Sequence, residues 1–250
     1  MQNLPSVKRS QSLVLAVLAM GLVGQSQAFV VPNAYGSAIG NAGSLILLGT
    51  QARTYQAQVA ASELGGIAVG TKIYSMSVRV TSSTIQNNSP AISYSNWNMQ
   101  LAKAANSISG MSSTFANNMV SPVTVKSGPL SFAAGAFQGG PITASPRPWG
   151  AEIVFQTPYT YTGGDLVMTV SHGVPTGSES IFADALGSTA AGYGSQFRAL
   201  STLAEGATVA TNLTSAFTIA RFTTQPVPEP ATLLLLGSGV AGLLSRRRRS

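Results

Sequence analysis

Lys72-Ile73-Tyr74-Ser75-Met76-Ser77-Val78-Arg79-Val80 is the stretch that decides the fold class. Tyr74, Met76, Val78 and Val80 share one parity, and the other parity is mostly polar. Successive side chains of a strand point to opposite faces, so this alternation predicts a half-buried β-strand. The same period recurs along the chain. Trp97, Met99 and Leu101 alternate with Asn98, Gln100 and Ala102; Leu166, Met168 and Val170 alternate with Val167, Thr169 and Ser171. Ile153 and Phe155 sit opposite Glu152 and Gln156, Phe217 and Ile219 precede Arg221, and Tyr55, Ala57 and Val59 mark an early strand.

Turn signals separate these runs: Gly65-Gly66, Asn87-Asn88-Ser89-Pro90, Gly139-Gly140-Pro141, Pro146-Arg147-Pro148 and Gly163-Gly164. Helix candidates are two short turns, Ser62 to Leu64 and Asp184 to Ala191. No repeat of 20–50 residues is present, which argues against a solenoid or propeller. Many short alternating strands with Gly/Pro turns predict an all-β chain folded as an antiparallel β-sandwich, jelly-roll-like. The stretch Thr157 to Val167 resembles the turn-and-strand of secreted jelly-roll ectodomains. Phe29 to Thr50 is expected to be a loose arm or an edge strand.

Composition narrows the function classes. A chain of 250 residues with 44% hydrophobic and 8% charged residues is too apolar for disorder and long enough for a real core. The absence of Cys excludes disulfides, a cysteine nucleophile and thiolate metal sites. The net charge of +7 suggests a nucleic-acid partner, but its placement argues against one. Five of the seven charges lie near the two ends, and the body between Phe29 and Gln225 carries only +2. No basic cluster there would track a phosphate backbone.

Both ends look like addresses. Lys8 and Arg9 form a basic n-region, Leu13 to Val23 an apolar h-region, and Ser26-Gln27-Ala28 a small-residue cleavage site. Residues 1–28 therefore read as a signal peptide, with a signal helix, cut before Phe29 by signal peptidase after engaging the export machinery. The body spans 29–225. The remainder, 226–250, begins Val227-Pro228-Glu229-Pro230 and continues with uncharged residues from Ala231 to Leu244. As a helix that run would be about 21 Å long, short against a hydrocarbon core of about 30 Å. Arg246, Arg247, Arg248 and Arg249 follow, a cytoplasmic stop-transfer cluster under the positive-inside rule. Such a short transmembrane helix would hold the exported chain at the inner membrane.

Pro228-Glu229-Pro230, an apolar helix and terminal arginines, in that order, resemble the PEP-CTERM sorting domain of Gram-negative bacteria. The resemblance covers Val227 to Arg249. It implies an exosortase partner, an integral-membrane cysteine protease that recognises Pro228, Glu229 and Pro230. It also implies association with exopolysaccharide and biofilm or floc formation.

The body itself offers little chemistry. Its one histidine, His172, continues the parity of Leu166, Met168 and Val170 and is expected to be a satisfied strand-end residue. A serine triad would have to use it, and no Gly-x-Ser-x-Gly elbow, His-Glu-x-x-His or P-loop is present. Ser171 to Leu186, with Glu179 and Asp184, is the most polar stretch. Its spacing shows no oxygen cage for a cation such as Ca²⁺. No cofactor, metal or catalytic residue is therefore expected. Sugar-stacking rings are the alternative, and Trp149, Tyr159 and Tyr161 are the candidate carbohydrate contacts. The expectation is a non-enzymatic exported surface or matrix protein. A carbohydrate-binding module for exopolysaccharide and a secreted hydrolase pairing His172 with Asp184 are the competing readings.

Overall fold

Every ladder among the described strands is antiparallel. In the computed structural model the described residues are 27–45, 47–82, 87–142, 145–177 and 180–224. The expected signal helix and the expected transmembrane helix fall almost wholly on residues outside these. Helix within the described residues is confined to three short 3-10 turns, Asn33–Tyr35, Ala61–Glu63 and Phe115–Asn118. None of the described helices is long and apolar enough to cross a membrane. The chain is all-β.

Numbered along the chain, the strands of the smaller main sheet are β1 (Ala28–Val31), β4 (Lys72–Val78), β9 (Ile153–Thr160) and β15 (Ala220–Thr223). Their spatial order is β1-β15-β4-β9. The larger sheet uses β3 (Arg53–Val59), β6 (Trp97–Ala104), β7 (Met119–Lys126), β10 (Leu166–His172), β12 (Phe197–Thr202) and β13 (Asn212–Ser215). Its order is β13-β12-β3-β10-β6-β7. A three-stranded sheet joins β14 (Phe217–Thr218), β11 (Ala183–Leu186) and β2 (Ala42–Ser44), and β5 (Ile92–Tyr94) pairs with β8 (Leu130–Phe132).

The two main sheets share one core. Tyr55, Ala57, Leu101, Met168 and Val170 of the larger sheet are buried in the same cluster as Phe29, Met76, Ile153 and Phe222 of the smaller. A small void between Ala57, Met168, Phe217 and Phe222 marks where the faces meet. Trp97, Met99 and Leu101 lie on the core face as the alternation predicts, and Val154, between Ile153 and Phe155, is 57% exposed. The edge strand expected within Phe29 to Thr50 is present as β1 and β2.

Three expectations are corrected. In β4 the register slips between Ile73 and Ser75, so Ile73 is buried where Tyr74 was expected, and Tyr74 is half-buried. Pairing passes from Ile73 with Tyr159 to Ser75 with Val154, so the surplus residues bulge from β9. The stretch from Asp184, expected to begin a helical turn, instead forms β11, because Ala183 to Ala185 pair with Ala42 to Ser44. The larger sheet is also covered on its outer face over β3, so Gln56 and Gln58 are fully buried and the alternation of that strand is lost. Asn118 Nδ2 donates to Gln56 Oε1 at 2.6 Å, and Gln56 Nε2 donates to the Phe115 carbonyl. Gln58 Nε2 donates to the Asn106 carbonyl. A loop supplies the partners that burial of amides requires.

Candidate functional site

The two ends of the body meet at one edge. Ala28 pairs with Thr223 across β1 and β15, and Phe29 stacks on Phe222 with ring centroids 5.5 Å apart. Thr224 donates from its backbone N–H, at 2.7 Å, and from its hydroxyl to the Gln27 carbonyl. The expected cut before Phe29 would leave β1 as Phe29 to Val31. Pro228, Glu229, Pro230 and Arg246 to Arg249 lie outside the described residues. Three residues, Gln225 to Val227, link Thr224 to Pro228.

The candidate sugar platform does not assemble. Tyr159 and Tyr161 belong to the core, 3% and 5% exposed, so neither ring offers a face to a glycan. Tyr161 donates its hydroxyl to the Gly164 carbonyl at 2.7 Å and closes the turn after β9. Strand parity put both residues on one face, and that face points inward. Trp149 is half-buried, and its ring already carries two guanidinium groups, Arg79 at 4.8 Å and Arg221 at 5.3 Å. Cations over an indole face occupy the surface a sugar would stack on.

The candidate hydrolytic pair is divided between two unrelated clusters. His172 is fully buried at the end of β10. It stacks parallel on Trp97 at 5.2 Å, meets Tyr94 edge-on at 4.8 Å, and places Nδ1 2.8 Å from the Gly173 carbonyl. This is the satisfied strand-end position expected of it. Asp184 lies in the three-stranded sheet, paired with Arg79 at 2.9 Å, each about 1% exposed. Gly40 N–H donates to Asp184 Oδ1 at 3.0 Å. Burial pushes the Asp184 carboxyl above the ordinary carboxylate range, while Arg79 and the backbone N–H of Gly40 pull against that shift.

The Arg79–Asp184 pair was not legible as a unit. Arg79 also donates to the carbonyls of Tyr35, Gly36 and Ala38. Together the two side chains clamp the loop after β1 onto the sheets. Gly40 permits the approach, because a Cβ there would fall 2.1 Å from the Ala185 carbonyl oxygen. The available signal was a lone charge inside an apolar run, Arg79 between Val78 and Val80 and Asp184 between Ala183 and Ala185. Charges so placed are buried only when paired. A second, more exposed pair joins Arg221 to Glu152 at 2.7 Å, and Ser75 also donates to Glu152.

No group of three or more potential metal ligands occurs among the described residues. A search of curated proteins and a search of solved structures each returned no match. The family model of the PEP-CTERM protein-sorting motif matches residues 226–249, about a tenth of the chain. The chain thus carries a PEP-CTERM sorting domain behind an all-β body, the mark of an exported protein processed by an exosortase.

Proposed function

We propose that this is a non-enzymatic structural or adhesive protein of the cell surface or extracellular polymer, associated with exopolysaccharide and biofilm. Its body is read as a β-sandwich of jelly-roll kind. The inner membrane holds the chain transiently by its C-terminal helix until an exosortase releases it or passes it on.

The observation that carries this reading is the sorting motif at residues 226–249. The non-enzymatic part draws support from where the titratable side chains are spent. Asp184 neutralises Arg79, Glu152 holds Arg221, and His172 is packed between two aromatic rings. A general base needs hydrogen-bond reach to a substrate proton, and these groups face protein.

Fractionation of a producing culture tests the reading. With an intact exosortase, the protein recovered from extracellular polymer should begin at Phe29 and lack the arginine cluster. In cells without the exosortase it should stay in the membrane fraction at the larger mass. Extracellular protein that began at Met1, or fractions alike in both strains, would refute it.

A further inference from the structure

The strand register fixes at which end of the body both termini leave the sheets. β15 runs antiparallel to β4, with Thr223 opposite Ser75, so the chain leaving Thr224 heads toward Lys72. β1 enters beside it, Ala28 against Thr223. The same end carries the turn from β9 to β10, since Gly70 N–H donates to the Tyr161 carbonyl and Tyr161 N–H to that of Thr71. The tether is short. Thr224 to Ala231, where the apolar run begins, is seven residue steps, at most about 25 Å fully extended. The far end of β10, at His172, lies about 20 Å from Leu166, six residue steps away. Running back along the body would spend nearly the whole tether at full extension, so the near end is the one it sets on a bilayer.

The end so placed has the surface for it. Leu64-Gly65-Gly66-Ile67-Ala68-Val69-Gly70-Thr71 is an uncharged, largely apolar loop, and Val69 is 71% exposed, the highest value for a large hydrophobic among the described residues. Gly65, Gly66 and Gly70 all take positive φ, which lets the loop turn tightly outward. Val69 packs beside Gly163 and the Lys103 side chain beside Gly164, so both flank one turn, and Lys72 is exposed nearby. The acids at this end are Glu63, half-buried, and Asp165, which accepts from Ala61 N–H and Gln58 Nε2.

Resting on the tethered reading above, we propose that the membrane-held protein stands with this end on the lipid surface. Val69 and the glycine loop enter the headgroup layer, and Lys72 and Lys103 face anionic phosphates. The chain has no Cys, so single labels are clean. Full-length chains with Val69→Cys or Val174→Cys, each carrying an environment-sensitive dye, would be reconstituted into phosphatidylethanolamine/phosphatidylglycerol vesicles containing brominated lipid. The expected result is quenching several-fold stronger at position 69 than at 174. A label at Ala68→Cys should lose that quenching when Val69→Asp is added, while the chain still floats with the vesicles. Equal quenching at 69 and 174 in floating protein overturns the proposal and leaves the tail anchor standing. Failure of the parent chain to float overturns both.

Discussion

Replacing Asp184 by Ala is expected to cost about 3–5 kcal/mol of folding stability, the range for removing one partner of a buried ion pair. Arg79 would be left about 1% exposed without its carboxylate. Its three carbonyl partners, Tyr35, Gly36 and Ala38, solvate the guanidinium but do not neutralise it. The Gly40 N–H would lose its acceptor as well. Domains of this kind are stable by about 5–15 kcal/mol, so the variant should sit near the edge of folding. Urea unfolding checks this. The midpoint should fall with little change in slope, and limited proteolysis should open the loop between β1 and β2 first. A loss within the ~0.5 kcal/mol typical of surface changes would mean that the pair does not close that loop.

Trp97→Ala should be comparably damaging, at about 3–5 kcal/mol. The indole is 1% exposed on the core face of β6 and is packed by two rings, His172 in a parallel stack and Tyr94 edge-on. Aromatic pairs add about 0.5–1.5 kcal/mol beyond area burial, which favours the upper half of the range. Val154→Ala is the matched control, because Val154 is 57% exposed on β9. It should shift the urea midpoint hardly at all. If the two variants behaved alike, the faces assigned to β6 and β9 would be wrong.

The strands that could be read from sequence are those with one wet face. In β6 and β9 the polar residues of the alternation do face outward, so Trp97 to Leu101 and Ile153 to Phe155 were assigned correctly. Alternation failed where both faces are covered. Gln56 and Gln58 alternate with Tyr55, Ala57 and Val59, yet a loop around Asn106 to Asn118 lies over them and meets each amide with a hydrogen bond. Nothing local in β3 encodes that cover. The register slip in β4 was equally invisible, because a bulge is set by the partner strand and not by the run itself.

The candidate sites divide the same way. The sorting signal was legible because its three parts are contiguous, and their chemistry depends on order along the chain. His172 was legible as a strand-end residue from parity alone. Tyr159 and Tyr161 misled, since shared parity shows that two rings point together but not whether they point inward. Arg79 and Asp184 lie 105 positions apart in sequence, and only the meeting of two sheets brings them together.

The sorting motif is the central claim, and a double substitution tests it most directly. Pro228 and Pro230 flank Glu229, and the apolar run and four arginines follow in the order that the sorting-motif model matches. Pro228→Ala with Glu229→Ala, expressed in a host with an intact exosortase, should give an unprocessed chain retained in the membrane fraction. The reading is taken from the mass of the protein and its division between membrane and extracellular pools. A double variant processed and released like the parent would contradict the account and reduce the tail to a plain anchor.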